Sequence, residues 1–336
     1  MKCISTRALV SNEFFKRELG LEIVYVDNLE QIIHSGIRIL ILLDEDFELW
    51  SHWLTEFDKE ELTVIFIGSE TLDKRSMNLL GHSESVKRIF IQYWTPLSLL
   101  SAFRSTLALI LDFPRIFLAD DFWISLARGA RRFLKVIQVP QKDKFIYLPL
   151  GYTDNFVSEL RKLGLVCSSG RDSLLKRGEF KLPSSRDSFT ITFMGYSTGK
   201  IRSLILDGIQ RKYPQETIFQ YTEKWGQGNS SEPQYASLLL RASIALNPPG
   251  HVSNETFRYL EALICGAIPV SSVSSPQDWS RNPLAGLNSV TGNEFSYRKI
   301  IMSLRCQSSE KLELINEKLL TEYSQTLNTL KISLAS

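Results

Sequence analysis

Residues 243–272 read SIALNPPGHVSNETFRYLEALICGAIPVSS. The stretch predicts a strand at 244–246, a Pro-Pro-Gly loop, a helix over 254–265 and a second strand at 267–271. Such a β–loop–α–β unit sets a helix N-terminus, with its unpaired N–H groups, beside the loop that leaves the first strand's carboxyl end, where an anion binds. At about 100° per residue, Phe257, Leu260, Leu263 and Ile264 gather on one side of this helix, and Asn254, Glu255, Arg258, Glu261 and Cys265 on the other. Packed in a parallel sheet, most of that second side lies near protein, and Glu and Arg are almost never fully buried unless paired. Two readings follow. The polar side is a solvated face with an Arg258–Glu261 (i, i+3) pair, or it is a ligand face on which Arg258 meets a phosphate and Glu261 accepts hydrogen bonds from a sugar.

The chain of 336 residues is long enough for two ordinary domains. Its composition, 43% hydrophobic and 23% charged, is that of a globular protein. The 39 basic and 37 acidic side chains leave a net charge of +2, which argues against a general nucleic-acid role, so electrostatic partners must come from local clusters. Cys3, Cys167, Cys265 and Cys306 form no C-x-x-C pair and read as free thiols of a reducing compartment. The first residues lack the apolar run of a signal peptide, and no segment offers about 18 apolar residues without charge. The expectation is a cytoplasmic protein without a transmembrane segment.

Strand-like runs at 22–26, 38–43, 63–67 and 88–92 alternate with helical periods at 47–57 and 97–111. The run ILILL within 38–43 suits a parallel strand buried on both faces. A helix over 122–135 leads to FIYLPLGY at 145–152, where Pro149 and Gly151 end a strand. Residues 167–188, rich in Ser, Gly, Arg and Lys, read as a linker or a long surface loop. A second series then gives strands at 189–194 and 217–221, helices at 200–212 and 233–241, and the opening stretch. This order predicts an α/β protein of two Rossmann-like lobes facing a crevice: 1–166 on the acceptor side, the linker 167–188, and 189–308 binding the donor. A terminal helix within 309–336 is expected to pack back across the lobes.

In ITFMGYSTGKIRSLIL a strand ends at Gly195, Gly199 makes the turn, and Lys200 and Arg202 enter the first turn of a helix. Cations there oppose the helix dipole, so the pattern reads either as an incidental surface turn or as a diphosphate site with an anion between them. Neither G-x-G-x-x-G nor the P-loop spacing is present.

Tyr235-x-x-Leu238, ASIALNPPG, and Ser253-x-x-Thr256-x-Arg258-x-x-Glu261-Ala262-Leu263-x-x-Gly266-Ala267-Ile268-Pro269-Val270 together resemble the C-terminal core of exostosin-like glycosyltransferases. Phe193-x-Gly195, Arg202 and the PLGY run are also similar to that family. The strong part of the match covers 189–275. The resemblance implies a GT-B fold and an inverting, metal-independent enzyme that needs no cofactor beyond a nucleoside-diphosphate sugar. It implies Arg258 and Arg202 on the diphosphate, Glu261 on the ribose, and the loop 247–253 beside the nucleotide and sugar. The expected donor site therefore comprises Gly195, Lys200, Arg202, Asn247, Ser253, Glu255, Arg258 and Glu261. The family often has Cys where this chain has Ala267, and its animal members carry a membrane anchor.

An inverting displacement needs a base for the acceptor hydroxyl, and in a two-lobed enzyme it comes from the first lobe. Asp44 and Asp46, in LLDED after ILILL, stand at the carboxyl end of a parallel strand; Asp120 and Asp121 open a helix and double as capping acids. His52 reads as an exposed helical side chain. Asp44-Glu45-Asp46 also spells D-x-D, a metal-binding pattern of another glycosyltransferase fold. Arg128, Arg131, Arg132 and Lys135 line one helix face, either solvated or attracting an acidic glycan or an anionic membrane surface. Expected partners are the donor and a glycan or glycoconjugate acceptor. A catalytically silent nucleotide-sugar-binding or scaffolding protein, and a sugar-nucleotide epimerase, are the other readings.

Overall fold

The structure is a computed structural model, which describes residues 1–26, 35–56, 61–67, 74–92, 107, 110–119, 122–124, 126–127, 130, 134, 141–166, 172–176, 188–196, 199–222, 234–248, 257–271 and 296–336. Two wholly parallel sheets organise it. The first contains β1 (Lys2–Ser5), β2 (Glu22–Tyr25), β3 (Ile39–Leu43), β4 (Leu62–Ile67), β5 (Val86–Ile91) and β6 (Phe145–Tyr147), in the order β2-β1-β3-β4-β5-β6. The second contains β7 (Ile191–Tyr196), β8 (Thr217–Thr222), β9 (Ile244–Asn247) and β10 (Ile268–Ser271), in the order β10-β9-β7-β8. The chain is thus mixed α/β with two parallel sheets.

The ILILL run shows why the first sheet is parallel and covered. Successive side chains of a strand point to opposite faces, so Leu40 and Leu42 enter one core with Trp50 and Phe66 while Ile39 and Ile41 enter another. The second of these cores does not stop at the first lobe. It continues through Phe14, Tyr152 and Phe156 to Phe193, Leu246 and Val270 of the second lobe. Ring contacts mark the crossing: Phe14 to Tyr152 at 5.4 Å, Tyr152 to Phe156 at 6.4 Å, and Phe156 to Tyr235 at 6.2 Å between centroids. The two sheets share one apolar base.

Helices cover both sheets: α1 (Asn12–Glu18), α2 (Phe47–Glu56), α3 (Lys74–His82) and α4 (Asp154–Lys162) with the first sheet, and α5 (Lys200–Lys212), α6 (Gln234–Arg241), α7 (Arg258–Ile264) and α8 (Tyr297–Arg305) with the second. Thr153 caps α4, accepting from Phe156 N at 3.3 Å, and Ser296 caps α8, accepting from Lys299 N at 3.2 Å. The final helix α9 (Ser309–Ala335) is five residues longer than its periodicity to Leu330 suggests. Its buried Asn316 donates to the Leu263 and Ala267 carbonyls at 3.3 and 2.8 Å, and Tyr323 stacks on Tyr259. Farther along, the Ser333 carbonyl accepts from Arg88 of β5 at 2.7 Å, so one helix binds elements of both lobes.

Several elements depart from the sequence reading. β1, α1, α3, α4 and α8 have no counterpart in it: KCIS is too short to show alternation, yet it lies between β2 and β3. The strand expected over 145–152 stops at Tyr147, because Pro149 has no N–H for a ladder and Gly151 adopts φ +80°. A side chain at Gly151 would collide with the Phe14 ring, 2.3 Å away. The stretch read as a linker is anchored where it is described. Leu174 and Leu175 are buried, and the Glu18 carboxylate accepts from Leu174 N at 2.8 Å and from Ser173 Oγ at 2.5 Å. Residues 112–116, in the segment assigned to the first lobe, pack on the second: Phe113 touches Gly208 of α5, and Asp112 accepts from Ser296 Oγ at 2.9 Å.

Candidate functional site

In an open parallel sheet, ligands bind beyond the carboxyl ends of two adjacent strands whose connections leave in opposite directions. The order β10-β9-β7-β8 places that point between β7 and β9: β7 leads to β8 on one side, and β9 leads to β10 on the other. Gly195 and Tyr196 close β7 and Asn247 ends β9, and Arg258 opens the helix that follows β9.

Arg258 reaches back across the switch point. Its Nε donates to the Met194 carbonyl at 2.9 Å, and its guanidinium carbon lies 5.2 Å from the centre of the Phe193 ring. This is a cation held by its inner nitrogen and by an aromatic face. Gly195 makes the placement possible: with φ +151°, it passes so close that a Cβ would sit 2.3 Å from Arg258 Nη2. Arg258 is half-buried, so the charge stands at the edge of the second lobe rather than inside it.

The neighbouring residues of the expected donor site take different places. Lys200 is exposed on the first turn of α5. Arg202 is buried, and its Nη1 donates to the Tyr196 carbonyl at 2.8 Å, bracing the turn between β7 and α5. The sequence reading expected a diphosphate contact of Arg202; the structure places its Nη1 on this backbone carbonyl. Asn247 is buried, and its carbonyl accepts from Tyr297 OH at 3.1 Å. Ser253 and Glu255 lie outside the described residues, as do Asn254 and the expected start of the 254–265 helix, which is described from Arg258.

Glu261 departs most from expectation. Its side chain is 2% exposed, and both carboxylate oxygens are taken by protein donors. Oε1 accepts from Thr153 N at 2.9 Å and Thr153 Oγ1 at 2.8 Å; Oε2 accepts from Tyr235 OH at 2.8 Å. Thr153 follows β6 in the first lobe, so the carboxylate ties the carboxyl edge of one sheet to the first turn of α7 in the other. Burial raises its pKa above the ordinary 4.5, against the lowering effect of the Thr153 and Tyr235 hydrogen bonds and of the Arg258 charge. In place of a solvated surface pair with Arg258, the Glu261 carboxylate stands as a strut between elements of the two sheets. A second strut runs parallel to it: buried Glu159 of α4 accepts from Ala236 N at 2.7 Å, capping α6.

The first sheet has its own switch point, between β1 and β3, since β1 leads to β2 on one side and β3 leads to β4 on the other. The acidic run Asp44–Asp46 stands there as a 3-10 turn. Asp46 accepts from Thr6 Oγ1 at 2.7 Å and pairs with Arg7, which also reaches Glu45 at 3.1 Å. Asp44 accepts from Ser76 Oγ at 3.2 Å. The D-x-D pattern is thus an arginine-paired cluster, and among the described residues no group of three or more His, Cys, Asp or Glu is arranged to hold a metal ion. His52 is exposed on α2. Asp120, Asp121, Arg128, Arg131, Arg132 and Lys135 lie outside the described residues.

Sequence reasoning singled out Arg258 and the loops beside it, and did not mention Thr6, Arg7, Thr153 or Glu159. Thr153 carried a signal, since Thr before Asp154-Asn155-Phe156-Val157 is a helix N-cap pattern.

No family model matches the chain, and no curated protein matches it. The exostosin-like resemblance accordingly rests on the residues alone. A solved structure does resemble it: a crystal structure of an alpha1,3-fucosyltransferase, at 11% identity and a TM-score of 0.40, over 96% of this chain and 82% of that one. At that level the likeness carries no statement about reaction or substrate.

Proposed function

We propose that the protein is a metal-independent, inverting glycosyltransferase of GT-B architecture, acting in the cytoplasm, that moves a sugar from a nucleoside-diphosphate sugar to a hydroxyl of a glycan or glycoconjugate. The observation that carries this reading is Arg258, fixed by Met194 and Phe193 over Gly195 at the switch point of the second sheet. A departing nucleoside diphosphate accumulates negative charge, and a cation already held in position stabilises that charge without reorganising. Exposed Lys200, on the other side of the β7 carboxyl end, supplies a second positive group. Arg202 and Asn247 keep the two loops in shape. The expected absence of any cofactor besides the donor belongs to the same proposal.

The acceptor side falls to the first sheet. Asp44, at its switch point and only half-buried, is the described carboxylate we assign to proton acceptance from the acceptor hydroxyl. A second reading is favoured by one observation: Asp46 is paired with Arg7, and Asp44 is itself bonded to Ser76. With both carboxylates engaged, the fold would serve as a nucleotide-sugar binder that does not turn over.

A panel of nucleoside diphosphates in the presence of chelator tests the donor site by thermal shift. Ligand at about 100 times Kd stabilises by about 2.7 kcal/mol. Arg258→Ala is expected to abolish the response to the diphosphate that stabilises the wild type. Stabilisation by none of them, or an equal response in the variant, overturns the donor-site reading. Turnover of the matching nucleotide sugar then separates the transferase from the silent binder.

A further inference from the structure

Beside Arg258 the second sheet carries an aromatic ring that is half open to solvent. Tyr221, on the outer strand β8, is 50% exposed, and its register partner on β7 is Gly195. Residues paired on neighbouring strands point to the same face of a sheet, and the strands run about 4.8 Å apart. At Gly195 the direction of a Cβ leads to Arg258 Nη2, so Tyr221 leaves β8 on the face where the guanidinium lies, one strand away. Tyr196, 37% exposed and next after Gly195, points to the opposite face.

Phe193 ties the two groups together. It is buried; the Arg258 guanidinium carbon lies 5.2 Å from the centre of its ring, and the Tyr221 ring stands 6.1 Å from it at 53°. Phe219, its partner on β8, packs edge-on against the same ring at 6.4 Å. The floor under Arg258 and Tyr221 is therefore apolar and filled, and what stands on it is a cation held by its Nε beside a half-exposed ring. One exposed tyrosine is ordinary, but one next to a fixed cation at the carboxyl end of a parallel sheet offers two contacts of different chemistry. A ligand that joins an anion to a flat ring satisfies both: the phosphate meets the guanidinium, and the ring lies on the tyrosine. An anion alone would use only the first. A nucleoside diphosphate has both parts, and stacking accepts any base because every base has a π-face.

We propose that Tyr221 is the base platform of the donor site, the nucleobase stacking on its ring while the diphosphate meets Arg258. This inference rests on the donor site of the sugar-transfer reading, though not on turnover. It makes Tyr221 a specificity determinant, which separates nucleoside diphosphates from inorganic pyrophosphate, an anion without a ring.

The test is isothermal titration of the full chain with uridine, guanosine and adenosine diphosphates, inorganic pyrophosphate and ribose 5-phosphate. Tyr221→Ala is expected to weaken the tightest nucleoside diphosphate at least ~10-fold and to leave pyrophosphate and ribose 5-phosphate unchanged. Tyr221→Phe, which keeps the ring, is expected to bind as the wild type does, and Arg258→Ala to lose nucleoside diphosphate and pyrophosphate alike. Undiminished nucleoside-diphosphate affinity in Tyr221→Ala, with Arg258→Ala still defective, overturns the platform and leaves the donor site standing. A loss in Tyr221→Phe as large as in the alanine variant assigns the contact to the hydroxyl and overturns it too. Loss of pyrophosphate binding in Tyr221→Ala would make the residue a support for Phe193 and Arg258, and weakened ribose 5-phosphate would put the sugar on the ring; either result overturns the proposal. Binding of no nucleoside diphosphate by the wild type overturns the platform and the donor site together.

Discussion

Replacing Glu261 by alanine tests whether the carboxylate is the strut described above. The change removes three acceptor contacts, to Thr153 N, Thr153 Oγ1 and Tyr235 OH, and leaves those donors facing an apolar methyl group. Hydrogen bonds to a charged group contribute about 1.5–3 kcal/mol each, which sets a gross loss of ~5–9 kcal/mol. Against this, truncation relieves the desolvation of a buried carboxylate, an effective penalty of several kcal/mol. The net expectation is about 3 kcal/mol of destabilisation. At about 2.1 cal/mol/K per residue, unfolding a 336-residue chain carries roughly 0.7 kcal/mol/K, so Tm falls by about 4 °C if the chain melts as one unit. Because the strut joins the lobes, calorimetry is the informative assay: its loss is also expected to lower the ratio of van't Hoff to calorimetric enthalpy as the lobes begin to melt separately. Glu261→Gln keeps one acceptor oxygen for Thr153 and is expected to fall between wild type and alanine. A shift below about 1 °C for alanine with unchanged cooperativity would refute the strut, and would return Glu261 to the role of a ligand-binding group.

Gly195→Ala is expected to reproduce the ligand-binding defect of Arg258→Ala without touching that residue, because the new methyl displaces the guanidinium from Met194 and Phe193. Isothermal titration with the stabilising diphosphate checks it, and undiminished affinity would show that Arg258 is not the anion contact. The pH dependence of stability provides a third test. Burial raises the carboxyl pKa of Glu18, Glu159 and Glu261 above the ordinary 4.5. A group that holds its proton more tightly when folded contributes most below its unfolded pKa, and that contribution is lost as pH rises through the folded value. Urea titrations of wild type and Glu261→Gln should therefore give a difference that is constant below about pH 4.5 and moves in favour of the glutamine variant above it. A difference moving the other way would mean that the hydrogen bonds outweigh burial.

The parts of the fold that were legible in the sequence are those where one local rule dominates. ILILL had to be a doubly covered strand, and Lys200–Lys212 begins at the residue after Gly199, as the turn chemistry implied. KCIS was not legible because four residues, one of them exposed, acquire strand character only from the neighbours β2 and β3. The same limit applies to the site. The position of Arg258 at the switch point was legible because the local β–loop–α–β sequence places it there. Glu261 was legible as an unusual carboxylate, but its role depended on Thr153, 108 residues away, and no periodicity reports a partner at that separation. Arg202 and Asp46 show the same limit: a charge in a loop looks available until its tertiary acceptor or counter-ion, here the Tyr196 carbonyl and Arg7, is known.

The long helix α9 also bears on the order in which the chain is made. Arg88 in β5 takes its carbonyl partner from Ser333, 245 residues later. At a synthesis rate of about 5–20 residues per second, roughly 12–50 s separate the two. Throughout that interval Arg88 of β5 lacks its Ser333 partner, and for its earlier part Glu261, which meets Thr153 108 residues before it in the chain, has not been made either. The protein therefore cannot acquire its native first lobe and then append a second; the early part waits, incompletely sheathed, for the late part. Slow translation or a stall before α9 would be expected to direct nascent chains to chaperones or into aggregates, even though neither switch point is altered.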